Sequence, residues 1–129
     1  MFELTATNIK NVPETIGIYK IYAKVDNTII PIQRFGGVDR SGILYIGTTD
    51  KQNLRKRLTQ FRLSSDCNMN TTNHSGALKY KKRTVICQVL GLNHKLYFSY
   101  TESEAPKQLE NQLLQEYAEK FGEYPPLNT

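Results

Sequence analysis

Gly17-Ile18-Tyr19 and Tyr45-Ile46-Gly47 are the two tripeptides from which the fold of this chain is predicted. Each tripeptide lies in a run rich in β-branched and aromatic residues, residues 16–22 and residues 43–47, and this composition is typical of a β-strand. If these two strands are neighbours, their tyrosines stand side by side on one small sheet. The two tripeptides therefore predict a sheet that brings two phenol side chains together.

The helices and the third strand are predicted from apolar spacing and capping residues. Asn53 is expected to cap a helix that runs to about Arg62, because the apolar residues that follow Asn53 recur at helical spacing. Residues 96–100 predict a third strand. A last helix is expected to begin at Pro106 and to run to about Phe121, where Gly122 ends it. Residues 76–90 fit a helix slightly better than a strand at 85–89.

The segments outside these elements are predicted to be irregular. Residues 1–15 are expected to form a lead-in, broken at Pro13. Residues 26–42 are longer than a tight hairpin requires, so we expect an inserted loop or a short extra strand, which Pro31 would keep at a sheet edge. The fold class is therefore α+β, with a single domain over residues 1–129 and a small three-stranded antiparallel sheet flanked by helices.

Length and charge restrict the class of partner. The chain has 129 residues, and Lys plus Arg outnumber Asp plus Glu by 17 to 12, which gives a formal net charge of +5. A basic balance fits a polyanion such as nucleic acid but does not prove one. No N-terminal signal and no apolar run long enough to span a bilayer are seen in the sequence, so we expect a cytoplasmic protein without a membrane partner.

Two charged side chains are expected at the edges of buried helix faces. Arg57 lies beside Leu58, and Glu110 shares a helical stripe with Leu113 and Tyr117. A charge at such an edge costs free energy unless it is paired or serves an ion of opposite sign. Either the two side chains form an internal ion pair, or Arg57 serves an anion and Glu110 a cation such as a metal ion.

Hydrolysis of a phosphodiester bond needs few groups, and this chain has them. Water must be placed in line with the leaving oxygen, and positive charge must meet the charge that develops on the phosphate. Tyr19 and Tyr45 supply phenols, Arg57 a fixed cation and Glu110 a carboxylate of the kind that holds Mg²⁺. A phenol with its ordinary pKa of about 10 is a poor base at neutral pH, so a neighbouring cation must lower that pKa or the phenol only orients the water.

In this order, these residues resemble the signature of the GIY-YIG nuclease superfamily over residues 17–128. Members of that superfamily cut phosphodiester bonds with a divalent metal ion. Arg57 matches the family arginine in its Leu-x-x-Arg-Leu context, and Glu110 matches the glutamate of the last helix. Asn128, after Pro125-Pro126-Leu127, matches the polar residue near the C-terminus, and His74 matches a histidine found in some branches.

The resemblance implies a role for each residue. Tyr19 would activate water, assisted by His74, and Tyr45 would orient the nucleophile or the phosphate. Arg57 would stabilise the transition state, and Glu110 would hold Mg²⁺ or Mn²⁺. Two roles stay open: Asn128 either contacts the phosphate or clamps the tail, and His74 is either catalytic or a histidine of a surface loop.

The resemblance also implies a hydrolase that binds nucleic acid, most naturally DNA. Basic side chains are concentrated in residues 51–62 and residues 79–83. Substrate is expected to lie against four of them, namely Arg55, Lys56, Lys79 and Lys82. Target choice would come from the insertion, from the loop at 64–73, from a partner subunit or from homodimerisation. The insertion and a slightly long path from Tyr45 to Arg57 depart from compact members. The alternatives are an inactive nucleic-acid-binding module and a structural domain in which Arg57 and Glu110 form a salt bridge.

Overall fold

In the computed structural model of this chain, residues 1–65, 76–77, 80 and 94–128 are described. The strands and helices are, in chain order, β1 (Phe2–Glu3), α1 (Ala6–Ile9), β2 (Gly17–Val25), β3 (Thr28–Ile29), β4 (Ile32–Arg34), β5 (Gly37–Asp39), β6 (Ile43–Thr49), α2 (Leu54–Ser65), β7 (Lys95–Glu102) and α3 (Pro106–Phe121). The α+β class predicted from the sequence is confirmed.

β2 is the central strand of the main antiparallel sheet. It pairs with β7 from Gly17 to Lys24 on one edge, and with β6 and then β3 on the other edge. Six of the first seven residues of β2 are buried. Burial of consecutive residues means that both faces of the strand are covered, because neighbouring side chains on a strand point to opposite faces.

The sheet is larger than predicted. β1 adds to the free edge of β7, and β3 pairs with the end of β2 as the short extra strand allowed for in the insertion, so the main sheet has five strands where three main strands were expected. The lead-in prediction for residues 1–15 is likewise wrong. Phe2 contacts the ring of Phe98, with centroids 5.6 Å apart, and Ile9 and Val12 are buried in the core. Two-residue strands and a four-residue helix are too short to show a periodic pattern, so tertiary contacts decide them.

The insertion between β2 and β6 is structured. Asp26 and Asn27 have φ values of 48° and 64°, and this left-handed pair makes the tight turn into β3. β4 and β5 then form a separate two-stranded hairpin. The extra strand expected around Pro31 is instead interrupted there, because Pro31 lies in neither β3 nor β4 and has no backbone N–H to donate to a strand partner.

The two long helices begin close to their predicted starts. The side-chain Oδ1 of Asn53 accepts a hydrogen bond from the backbone N–H of Lys56 at 2.8 Å, which is the expected cap of α2. α2 continues to Ser65, three residues beyond the expected end. α3 has both its predicted ends, and Gly122 follows it with φ 76°. Gly76, Ala77 and Tyr80 are helical, whereas the choice between helix and strand at 85–89 lies outside the described residues.

The core lies between the sheet and α2. Leu54, Leu58 and Phe61 of α2 are fully buried in one cluster with Tyr19 and Ile21 of β2. α3 packs on β6, β2 and β5. Its buried residues belong outside that cluster and are Pro106, Glu110, Tyr117 and Phe121. The sheet therefore packs against both long helices.

Candidate active site

Tyr19 and Tyr45 meet on one face of the sheet because of the register between β2 and β6. Tyr19 lies opposite Gly47, and Tyr45 lies opposite Ile21. The two tyrosine rings have centroids 6.0 Å apart. A Cβ atom at Gly47 would lie 2.3 Å from the Tyr19 ring, so only glycine leaves room for that ring. The side-by-side placement predicted from the two tripeptides is therefore observed.

The glycine of the first tripeptide allows a close approach of two strands. A Cβ atom at Gly17 would lie 2.2 Å from the backbone oxygen of Thr101 on β7. On the other edge, the backbone N–H of Gly17 donates to the hydroxyl of Thr49 at 3.1 Å. These contacts fix the start of β2, and hence the position of Tyr19, between β7 and β6.

Arg57 reaches Tyr19 from the end of the first turn of α2. Its guanidinium hydrogen-bonds to the Tyr19 hydroxyl, and its Nη1 donates to the side-chain oxygen of Gln60 at 2.7 Å. Arg57 also lines an open cleft at the end of β6. The arginine of the Leu-x-x-Arg-Leu segment is therefore placed beside the first phenol, with access to a cavity on its other side.

Tyr19 is a neutral phenol in this structure. Its side chain is fully buried, and burial raises its pKa well above the ordinary value. Tyr45 raises this pKa further, the charge and hydrogen bond of Arg57 lower it in part, and the negative charge of Glu110 raises it. A phenol with such a pKa holds its proton at neutral pH, so Tyr19 is suited to donating a hydrogen bond and unsuited to acting as a base.

Glu110 is buried on α3, with 8% of its surface exposed, and it pairs with Lys107. Lys107 Nζ lies 2.9 Å from Glu110 Oε1, one turn earlier on the same helix. This hydrogen bond and the charge of Glu110 raise the pKa of Lys107, and Asp50 raises it further. For Glu110, the sequence suggested an ion pair with Arg57. The partner observed is Lys107, because helical spacing brings the two α3 side chains together.

The described side chains fit a magnesium site only of the kind that Mg²⁺ commonly forms with phosphate substrates, in which the protein supplies few of the ligands. Within the described ranges, no group of three or more His, Cys, Asp or Glu side chains converges on one point. Mg²⁺ often binds through one or two carboxylates together with waters and substrate phosphates. Glu110 meets that minimum, and the ammonium group beside it shows that its carboxylate accepts a cation there.

Asn128 holds the C-terminal tail against β6. Its Oδ1 accepts from the backbone N–H of Ile46 at 2.9 Å, and its Nδ2 donates to the backbone oxygen of Ile46 at 2.8 Å. The backbone N–H of Leu127 also donates to the oxygen of Leu44. The side-chain amide of Asn128 thus makes the two hydrogen bonds to the Ile46 backbone that a neighbouring strand would make. Of the two roles expected for Asn128, these contacts are those of a tail clamp.

The predicted substrate-binding side chains differ in their surroundings. Lys56 is exposed on α2. Arg55 instead donates to the backbone oxygen of Val12 at 2.8 Å and pairs with Glu14 at 2.6 Å. Arg55 therefore ties α2 to the N-terminal segment. The predictions for His74, Lys79 and Lys82 concern positions outside the described residues.

Several site residues were not predicted from the sequence. Lys107 lies three positions before Glu110, and this spacing was the available signal. Asp50, whose charge acts on Lys107, had no such signal, since it follows β6 in a loop. Thr48, near the end of β6, and Gln52, in the loop after it, also had no signal in the sequence. Both line the cleft beside Arg57.

Comparisons of the chain with protein-family models, with curated proteins and with solved structures give no match. The resemblance to the GIY-YIG superfamily therefore remains a prediction from the motifs. In the described portion of the chain, none of the helices has the length and apolar character needed to cross a membrane.

Proposed function

We propose that this protein is a divalent-metal-dependent endonuclease that hydrolyses phosphodiester bonds in DNA. One observation carries the proposal: Tyr19, Tyr45 and Arg57, which come from three separate parts of the sequence, are in contact, and Glu110 from a fourth part lies near enough for its charge to act on Tyr19. Tyr19 contacts the Tyr45 ring, hydrogen-bonds to Arg57 and feels the charge of Glu110. A cation in contact with phenols, and a carboxylate within electrostatic reach of them, are the groups that hydrolysis of a phosphate ester requires.

The proposed mechanism places the scissile phosphate against Arg57. The guanidinium carries a permanent positive charge and several N–H donors, so it meets the negative charge that develops on the phosphoryl oxygens in the transition state. A water molecule attacks phosphorus and gives up one proton to solvent, while the bond from phosphorus to the leaving oxygen breaks and that oxygen takes up a proton from solvent. Tyr19, as a neutral and buried phenol, acts through its hydrogen bond to Arg57 and positions the guanidinium toward the phosphate.

Glu110 is the residue proposed to hold the metal ion. When bound, Mg²⁺ or Mn²⁺ supplies Lewis-acid stabilisation of the phosphate and a more acidic water. Glu110 offers a buried carboxylate, whose pairing with the Lys107 ammonium must loosen when a metal ion binds. Because Tyr19 is unsuited to acting as a base here, Tyr19 and Arg57 contribute positioning and charge rather than proton removal.

The test is cleavage of supercoiled plasmid in Mg²⁺ or Mn²⁺ by the wild type and by Glu110→Gln and Tyr19→Phe. Both substitutions keep the shape of the side chain while removing the carboxylate charge or the hydroxyl group. We expect Glu110→Gln to lower the cleavage rate by at least about a hundredfold, a loss typical of removing a group that stabilises transition-state charge. Tyr19→Phe is expected to lower it by about tenfold to a hundredfold.

Glu116→Gln is the matched control, since Glu116 is exposed on the same helix and bonds to Gln112. It should cleave at the wild-type rate. A folded wild type that leaves the plasmid intact with either metal would contradict the proposal. Cleavage that persists in Glu110→Gln would show that the metal is held elsewhere.

The second candidate is an inactive nucleic-acid-binding module of the same fold. The observation in its favour is that Glu110 already has a cation in Lys107 and that the Tyr19 side chain is inaccessible. A domain of this kind would bind DNA with a strong dependence on salt and would not cut it. Binding measured by fluorescence anisotropy at two salt concentrations, beside the cleavage assay, separates the two candidates.

A further inference from the structure

An open cleft lies beside Arg57, at the end of β6 and along the loop into α2. Its volume is about 190 Å³, and its lining residues are Thr48, Thr49, Asp50, Lys51, Gln52 and Arg57. At about 30 Å³ for each water molecule, the cleft has the volume of roughly six waters. It can therefore take a small polar group with part of its hydration.

Two polar atoms of the cleft residues are buried and have no hydrogen-bond partner in the described part of the chain. They are the hydroxyl Oγ1 of Thr48 and the amide Oε1 of Gln52. Their neighbour Thr49 differs, because its hydroxyl accepts from the backbone of Gly17 and serves the fold. Buried polar atoms without partners cost folding free energy, and two of them on residues that line one cleft are explained if a ligand, on entering, turns these side chains toward it and completes their bonds.

The charges around the cleft favour an anion. Arg57 and Lys51 bring two positive charges, and Asp50 brings one negative charge. The negative charge of Asp50 also interacts with Lys107, whose pKa is raised by Glu110 first and by Asp50 in addition. A hydroxyl donates a proton readily, and an amide that turns about its last bond presents its NH₂ group in place of its oxygen. None of the described lining residues is aromatic, so stacking of a base has no support.

We propose that this cleft binds a phosphate group of the nucleic-acid backbone next to the phosphate that is cut, with Thr48 and Gln52 as neutral donors and Lys51 as the outer charge. The inference rests on the proposed nuclease function, because Arg57 borders both positions. It adds a second contact point along the strand, so two successive phosphates fix the substrate relative to Tyr19 and Glu110. Free inorganic phosphate has the same chemistry and is the other source of ligand that the test separates.

The test is binding of a fluorescent DNA duplex in EDTA, where no metal-dependent cleavage occurs. Thr48→Val/Gln52→Leu removes both polar groups at nearly constant shape. We expect this double variant to bind the duplex about tenfold more weakly, since each lost contact to a ligand costs a hydrogen bond. The matched control is Thr28→Val/Gln115→Leu, at two exposed positions, and it should stay within about twofold of the wild type.

The melting temperature separates a ligand-binding role of Thr48 and Gln52 from a structural role, because the two roles predict changes in opposite directions. Without ligand, the cleft double variant should melt at the same temperature as the wild type or higher, because it loses two buried atoms that lack partners. Inorganic phosphate should raise the melting temperature of the wild type and not that of the variant. A strong fall in melting temperature without ligand would overturn the proposal, because it would assign Thr48 and Gln52 to the fold.

Lys51→Gln is a second variant that leaves the buried atoms in place. It should reduce the dependence of duplex affinity on salt by about one counter-ion. Equal duplex affinity in the cleft variant and its control would overturn the proposal. Protection by inorganic phosphate with unchanged duplex affinity would overturn the nucleic-acid assignment and identify a site for free phosphate. A wild type that binds DNA through the cleft without cutting it would refute the proposed nuclease function and support the proposed phosphate site.

Discussion

At the scale of single residues, Lys107 is the ion-pair partner of Glu110, the carboxylate proposed to bind metal. Its ammonium lies 2.9 Å from Glu110 Oε1, where a divalent cation would have to approach. Glu110 is buried while Lys107 is largely exposed, so the lysine leaves the pair more easily than the glutamate does. The lysine both satisfies the buried charge before metal binds and competes with the metal.

Lys107→Gln should strengthen binding of Mg²⁺ and Mn²⁺. A partly exposed ion pair is worth up to about 1 kcal/mol, so we expect the metal concentration at half saturation to fall by about two- to fivefold. The measurement is a metal titration followed by the shift in melting temperature, which does not depend on cleavage. Lys120→Gln on the same helix is the control. An unchanged titration would show that Lys107 and the metal do not share Glu110.

The two tripeptides also act at the residue scale, through what their glycines leave out. Gly47 makes room for the Tyr19 ring, and Gly17 lets β2 approach the backbone of β7. Neither role uses a side chain, so both follow from close packing alone. In this structure, the glycines build the site by positioning Tyr19, and the tyrosines and charged residues supply its chemistry.

At the scale of elements, the insertion is anchored to the end of α3. Arg34 in β4 pairs with Glu123 at 2.6 Å, and the backbone N–H of Gly36 donates to the oxygen of Phe121 at 2.7 Å. Asp39 at the end of β5 accepts hydrogen bonds from the Ser41 side chain and backbone, from the backbone of Ile43 and from the Tyr117 hydroxyl. The insertion thus joins the sheet to the helix that carries Glu110.

The C-terminal tail is also anchored to the sheet, and Asn128 is the side chain that bonds it to β6. Asn128→Ala removes both hydrogen bonds to the backbone of Ile46 and should lower the free energy of unfolding by about 1–3 kcal/mol, measured by urea denaturation. Asn111→Ala, at an exposed position of α3, should change it by less than about 0.5 kcal/mol.

Cleavage by Asn128→Ala distinguishes the two roles that the sequence left open. A tail clamp predicts a loss of less than about tenfold at a temperature where the variant is folded. A direct phosphate contact predicts a loss of about a hundredfold or more. The larger loss in a folded variant would contradict the role that the observed contacts favour.

At the scale of the whole molecule, buried tyrosines make stability depend on alkaline pH. Burial raises the pKa of Tyr19, of Tyr22, of Tyr80 to about 12, and of Tyr117. A hydrogen bond to Asp39 raises the Tyr117 pKa further. In the unfolded chain, these groups lose their protons near pH 10, while the folded chain keeps them. The stabilisation is therefore complete below about pH 10 and is lost as the pH rises through the folded-state values.

The expected outcome is a lower urea midpoint at about pH 11 than at about pH 8. Absorbance of tyrosinate should show only part of the eight tyrosines titrating near pH 10 in the folded protein, and all of them in urea. Equal urea midpoints, or a single titration of all tyrosines near pH 10 in the folded state, would contradict the raised pKa values.

The sequence by itself determined the elements with strong local signals. The three long strands, the Asn53 cap and both ends of α3 follow from β-branched runs, from capping residues, and from a proline and a glycine at fixed helix positions. It also determined that Tyr19 and Tyr45 share a face, because strand periodicity and neighbouring strands leave little choice.

Only the tertiary structure decided which partners those residues have. β1 and the β4–β5 hairpin are too short to show a pattern, and they form because a free strand edge or a helix end is there to pair with. The pairing of Glu110 with Lys107, the neutral state of Tyr19 and the unpartnered atoms of Thr48 and Gln52 depend on distance and burial. These are properties of three-dimensional surroundings, which residue types and their spacing do not contain.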